Sequence, residues 1–255
     1  MEVNKNKYDH LVARVFESRD EMGYEAAKDV EAKLQKIIEE KGEATVVFAA
    51  APSQNELLKS LLKCDIDWNR VRAMHMDEYI GLPKDASAAF GNFLRRAIFD
   101  LVPFKEIHYM ADAGVEPEAA CAAYSELLTK YPPDMILLGV GENGHLAFND
   151  PPVADFNDPY KVKVVELDEV CRKQQVNDGC FATLEDVPKY AITITMSAII
   201  NVPQTIVVVP GKLKANAVKA MLHGPITTEC PASILRQHPS SVLYLDKDSA
   251  ASVNC

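Results

Sequence analysis

Short apolar runs alternate with amphipathic helical stripes along this chain, and that alternation constrains its fold more than any other feature. The run Ala44-Thr45-Val46-Val47-Phe48-Ala49-Ala50-Ala51 is too short for a buried helix and reads as a strand covered on both faces. Before it, Ser18-Arg19-Asp20-Glu21 has the form of a capping box. Ala26, Val30, Leu34, Ile37 and Ile38 then keep a helical stripe that Gly42 is suited to stop. The same reading predicts further strands at 71–76, 107–109, 134–140, 162–167, 191–195, 205–209 and 241–245. Helices are expected between them at 53–63, 88–99, 117–130, 168–176 and 212–222. Strands joined through helices imply an α/β fold: a three-layer α/β/α arrangement with a mainly parallel, Rossmann-like sheet. With no internal repeat or Pro/Gly-rich linker, residues 1–255 read as a single domain.

In such a sheet, ligands bind outside the carboxyl ends of the strands, so the strand exits are where chemistry is sought. The apolar run Met135-Ile136-Leu137-Leu138 exits into Gly139-Val140-Gly141-Glu142-Asn143-Gly144-His145-Leu146-Ala147-Phe148-Asn149-Asp150-Pro151. Three glycines permit tight backbone turns there, and an amide, an imidazole and a carboxylate follow closely, which suits proton transfer. A second exit, Met76-Asp77-Glu78-Tyr79-Ile80-Gly81-Leu82-Pro83, presents two adjacent carboxylates, either of which could serve as a base or merely cap the turn. A third leads through Pro52 to Ser53-Gln54-Asn55-Glu56, a helix start whose free N–H groups suit an anion, with Ser53 and Glu56 forming an ordinary cap as the plainer alternative. The fourth, Pro210-Gly211-Lys212-Leu213-Lys214, puts lysines in a helix's first turn, where the dipole disfavours them and a bound anion would offset the cost, with a pair of solvated surface lysines as the plainer alternative.

A net charge of −10 argues against nucleic acid or an anionic membrane as partner. No apolar stretch is long enough to span a membrane, and the first residues lack the apolar core of a signal peptide. The six cysteines (Cys64, Cys121, Cys171, Cys180, Cys230, Cys255) form no CxxC pair, a scatter that suits a reduced, cytoplasmic protein. No clustered His/Cys ligand set stands in the sequence, so neither a metal nor a redox cofactor is expected.

Together the four strand exits resemble the glucosamine-6-phosphate deaminase/isomerase family, the sugar-phosphate branch of the fold shared with 6-phosphogluconolactonase. The later segments Val187-Pro188-Lys189-Tyr190-Ala191-Ile192-Thr193 and Ser233-Ile234-Leu235-Arg236-Gln237-His238-Pro239 fit the same family. The resemblance implies a cytoplasmic enzyme that isomerises an amino-sugar 6-phosphate, of gluco or galacto type, with loss of ammonia, and uses no cofactor. It implies Asp77 as the base between C2 and C1, and His145 as the ring-opening group supported by Asn143 and Asp150. Ser53, Gln54, Asn55 and Lys214 would bind the phosphate, and Arg172 is the nearest match to the family's substrate-binding arginine. The partner implied is a small sugar phosphate; self-association is left open.

The chain departs from the family at its phosphate turn, where Ser53-Gln54-Asn55-Glu56 stands in place of Ser/Thr-Gly-Gly-Thr, and at Asp150, which replaces a glutamate. Two alternatives follow. One is a lactonase-type hydrolase on the same fold, which the Met76-Asp77-Glu78-Tyr79 string disfavours. The other is a non-catalytic sugar-phosphate-binding protein, which the altered turn favours.

Overall fold

The computed structural model describes residues 2–110 and 115–253; Cys255 lies outside them. The first strands are β1 (Glu2–Tyr8), β2 (Leu11–Phe16), β3 (Ala44–Phe48), β4 (Val71–His75), β5 (Asp77–Tyr79) and β6 (Glu106–His108). They are followed by β7 (Met135–Leu138), β8 (Val162–Glu166), β9 (Tyr190–Ile194), β10 (Gln204–Val209) and β11 (Ser241–Asp246). Eight of these form one sheet in the order β1-β2-β11-β10-β7-β3-β4-β6, parallel throughout except for the β1–β2 hairpin. A small antiparallel sheet, β5-β9-β8, stands beside it. It was not foreseen, because the residues of β5 alone, Asp77-Glu78-Tyr79, carry no strand signal.

The central strands show why unbroken apolar runs appear in the sequence. Side chains alternate across a strand, and both faces are covered. Val46, Phe48, Met135, Leu137, Ile206 and Val208 enter one core layer. Val47, Ile136, Leu138, Val207 and Val209 enter the other. Helix α1 (Arg19–Lys41) and α2 (Asn55–Leu61) pack on the first layer through Met22, Ala26, Val30 and Leu34, and through Leu57, Leu58 and Leu61. Helix α3 (Phe90–Leu94) continues into a wider turn at Arg95–Phe99. Helix α4 (Pro117–Lys130) packs on the second layer, as does α7 (Ala215–His223); α5 (Glu169–Asn177) and α6 (Met196–Ile200) complete the set. Ser18 caps α1 by accepting from the Glu21 N–H, and Gly42 ends it in the left-handed conformation, as predicted.

The expected cap at Ser53 does not form. Pro52 instead opens a tight turn, Pro52–Gln54, that precedes α2, and Glu56 pairs with Arg19 at 3.1 Å. In chain order, β4 and β6 extend outward from β3 on one side, while β7 returns to β3's other flank and leads on to β10. The strand order reverses between β3 and β7, and a crevice opens there at the carboxyl ends.

Candidate active site

Four strand exits converge on that crevice. Its walls include Ala49, Ala50, Ala51 and Ser53 after β3, Met76 and Asp77 after β4, Gly139, Gly141 and His145 after β7, and Lys214 after β10. Ala147, Phe148 and two residues of α5, Gln174 and Gln175, close it. It is narrow, about 60 Å³ between its walls. A larger cavity, about 790 Å³, lies at the opposite end of the sheet, where Lys41 pairs with Asp134 and Arg72 with Glu43.

The loop after β7 is built around His145. Its Nδ1 lies 2.7 Å from the Asn143 side-chain oxygen and 2.9 Å from Asp150 Oδ1. Both neighbours are acceptors, so Nδ1 carries the proton and Nε2 keeps a lone pair. Asn143 also donates to Asp150 Oδ1 at 2.9 Å, and the Asp168 N–H donates to Oδ2 at 3.3 Å. Burial acts to raise the Asp150 carboxyl, but His145 and the other donors outweigh it and hold the group below the ordinary carboxylate value. The imidazole lies across Gly141: a Cβ there would sit 2.2–2.4 Å from three ring atoms. Gly144, at φ +85°, turns the loop back, and Ala147 takes the same uncommon region at φ 50° beside the crevice.

The two carboxylates of the β4 exit divide their work, because successive strand residues face opposite ways. Glu78 turns away and caps α3: its carboxylate accepts from the N–H groups of Tyr79, Phe90 and Gly91 at 2.8–3.0 Å. Asp77 faces the crevice, and its carboxylate has no hydrogen-bond partner among the described residues. Burial and the Glu78 charge push it well above the usual carboxylate range. Behind it, His75 donates from Nδ1 to the Asp77 carbonyl at 3.0 Å and accepts the Met110 N–H at Nε2, which fixes a neutral ring.

Lys214 is buried, at 6% exposure, and makes no ion pair or side-chain hydrogen bond among the described residues. Burial lowers its pKa, against the more distant attraction of Asp178 and Glu142. An ammonium so placed invites an anion. Lys212, by contrast, is exposed.

The structure thus brings together Asp77, His145, Ser53 and Lys214, with Asn143 and Asp150 supporting the histidine. Three sequence expectations need correction. The Gln54 amide does not face a ligand: its Nε2 reaches the carbonyls of Leu138 and Val208 at 3.4 and 3.3 Å, because the tight turn directs it between β7 and β10. Asn55 is exposed at the start of α2 and does not line the crevice. Arg172 also lies outside it, since its guanidinium is used at 2.6 and 2.9 Å by the carbonyls of Leu184 and Val187, where it ties down the segment after α5.

Sequence reasoning missed Gln174, Gln175 and Cys171. They form the buried stripe of α5 at i, i+3 and i+4, and that spacing was the available signal. Cys171 offers its sulfur within 4.8 Å of ligand atoms of His145 and Asp150, a grouping invisible in the sequence spacing. Burial and the Asp150 charge push its thiol well up, and His145 Nδ1 is already held by two oxygens, so a cation entering would have to displace both protons.

Comparison with known proteins places this geometry. Residues 17–244 match the family described as glucosamine-6-phosphate isomerases/6-phosphogluconolactonase. A glucosamine-6-phosphate deaminase of Bacillus cereus (strain B4264) is 33% identical over 239 residues, covering 94% of this chain and 87% of that protein. A solved monomeric glucosamine-6-phosphate deaminase superposes with a TM-score of 0.86 at 25% identity, covering 94% of this chain and 99% of the other. A 6-phosphogluconolactonase from Shewanella baltica OS155 shares the fold, with a TM-score of 0.77 at 18% identity, covering 94% and 99% of the two chains.

Proposed function

Because the chain belongs to the glucosamine-6-phosphate isomerase/6-phosphogluconolactonase family, we propose that it deaminates an amino-sugar 6-phosphate to a ketose 6-phosphate and ammonia. The observation that carries this reading is the set of polar groups without partners in one crevice: the Asp77 carboxylate, His145 Nε2 and the Lys214 ammonium. A base, an acid–base imidazole and an anion anchor are what the reaction requires.

The chemistry follows from their positions. Lys214 and Ser53 hold the 6-phosphate. His145 Nε2 takes the proton of the anomeric hydroxyl and returns one to the ring oxygen, which opens the pyranose. Asp150 and Asn143 keep the imidazole oriented and stabilise its charged form. Asp77 removes the C2 proton; the electron pair forms the C1–C2 double bond as the C1 carbonyl π pair moves onto its oxygen, which takes a proton from solvent, and the nitrogen lone pair then drives return of the proton from Asp77 to C1, leaving an iminium at C2. Water adds to C2, the C–N bond breaks and ammonia departs. The raised basicity of Asp77 suits abstraction from carbon, since a base near the operating pH is the more effective one. The five cysteines among the described residues are free, which suits a reducing compartment, and we read the enzyme as cytoplasmic; no helix among the described residues is long and apolar enough to cross a membrane.

The test is ammonia and ketose-phosphate release from glucosamine 6-phosphate and galactosamine 6-phosphate, beside hydrolysis of a 6-phosphogluconolactone. Ammonia release that disappears in Asp77→Asn is the expected result. Lactone hydrolysis without ammonia release would favour the lactonase reading, which needs no base at position 77.

A further inference from the structure

We propose that Gln175 reads the hydroxyls of the sugar at C3 and C4, and so sets which epimer the enzyme accepts; the assignment rests on the sugar-phosphate reading above. Two adjacent glutamines stand on the buried face of α5, and they are used differently. Gln174 is satisfied at both ends: its oxygen accepts the Glu142 N–H at 2.8 Å, and its amide donates to Asp178 at 3.3 Å. Gln175 is buried, at 7% exposure, lines the crevice, and its side-chain amide has no hydrogen-bond partner among the described residues. Its backbone carbonyl accepts the Cys180 N–H at 3.0 Å. The amide opens onto the crevice with both its donor and its acceptor ends uncommitted to protein, so a ligand entering there meets it.

The chemistry of that partner follows by elimination. The polar side chains lining the crevice are Ser53, Asp77, His145, Gln174, Gln175 and Lys214. Lys214 and Ser53 serve the phosphate on C6, Asp77 serves C1 and C2, His145 serves the ring oxygen, and Gln174 is already bonded. The hydroxyls on C3 and C4 have no other side chain to meet. A neutral amide offers one acceptor and two donors, which matches neighbouring hydroxyls that both give and take hydrogen bonds. Position agrees. Gln175 follows Cys171 by four residues, so it lies one helical turn from the thiol that sits against His145 and Asp150. The gluco and galacto epimers differ at C4, so a group bonded there discriminates between them.

The experiment compares wild type with Gln175→Met, which keeps the length and removes both hydrogen-bonding ends. Two competitive ligands are titrated, glucitol 6-phosphate and inorganic phosphate, and kcat and KM are measured on both epimeric amino-sugar phosphates. Loss of one or two neutral hydrogen bonds should weaken the hexitol phosphate roughly five- to fiftyfold. Inorganic phosphate should be held as before, the rise should fall on KM more than kcat, and the preference between epimers should shrink towards unity. Equal weakening of both ligands, or an unchanged epimer ratio, would overturn the assignment and mark Gln175 as a packing residue. If wild type held the hexitol phosphate no better than inorganic phosphate, the sugar-phosphate reading would fail and this assignment with it.

Discussion

Two buried cations sit at opposite ends of the same sheet, and their surroundings could hardly differ more. Arg72, at the start of β4, has Glu106 at 3.1 Å, Glu43 at 3.3 Å, the Thr45 hydroxyl at 3.4 Å and the Tyr131 ring 3.7 Å below its guanidinium. Lys214, beyond the end of β10, has none of these. The first is a charge that the protein itself has satisfied. The second is a charge left for something else to satisfy. The same contrast separates adjacent carboxylates: Glu78 accepts three backbone N–H bonds while Asp77 accepts none. Partnered groups hold the scaffold, and unpartnered ones mark where a ligand completes the electrostatics.

The sharpest way to break this contrast is at the carboxylates. Asp77→Asn keeps the shape and removes the base, so turnover should fall by about 10²–10⁴-fold with little change in phosphate binding. Its pH profile carries the same signature. Burial and Glu78 raise the Asp77 carboxyl, so it becomes protonated, and the rate falls, at a higher pH than an ordinary carboxylate would give. Stopped-assay rates across the acid range check this, and an acid limb at the usual aspartate position would contradict it. Glu78→Gln should loosen α3 and, by removing a charge that helps raise Asp77, move the acid limb part of the way back towards the ordinary carboxylate position.

The next effect concerns the cations. Lys214→Ala should weaken a hexosamine 6-phosphate by roughly tenfold or more, since a charge-assisted hydrogen bond is worth on the order of 1.5–3 kcal/mol, and should leave the unphosphorylated sugar unaffected. Because burial lowers the lysine's pKa, that binding should also fade as pH rises, earlier than for an exposed lysine. Isothermal titration with both sugars measures it, and equal affinity for the two in wild type would sink the phosphate assignment. Arg72→Met should do the reverse. It should cost on the order of 1–3 kcal/mol of stability, less than a fully buried pair because Glu43 and Glu106 remain partly in water, and leave substrate affinity alone.

The parts of this molecule that were legible in sequence are those whose physics is local. β3, β7 and β10 are buried on both faces, so their apolar runs are unbroken. β1 was missed because it is an edge strand: Glu2-Val3-Asn4-Lys5-Asn6-Lys7-Tyr8 is mostly polar, as an exposed edge is expected to be. At the crevice, Asp77 and His145 were legible because each stands at a strand exit. Arg172 misled because the chain offers a guanidinium near the expected place, while the carbonyls of Leu184 and Val187 claim it. Gln174 and Gln175 were illegible because glutamine on a helix ordinarily faces solvent; only their register with Cys171 places them inside.

The smallest effect tests whether an unpartnered group carries a cost in the free enzyme. Asp77 has its pKa raised in the folded state, so folding favours its protonated form. Below the unfolded value both states are protonated and nothing is lost. As pH rises through the folded pKa, the native state holds a proton that the unfolded state has released, and the contribution is forfeited. At neutral pH the buried carboxylate therefore works against stability. Asp77→Asn removes the charge, so the inactive variant should melt above wild type at neutral pH, each kcal/mol recovered raising Tm by roughly 2–4 °C. The advantage should vanish in acid, where wild type is protonated too. Scanning calorimetry of both proteins across that range decides the matter. A variant that melts below wild type at every pH would mean that Asp77 is held by favourable contacts in the free protein, and that the crevice is not waiting for a ligand at that wall.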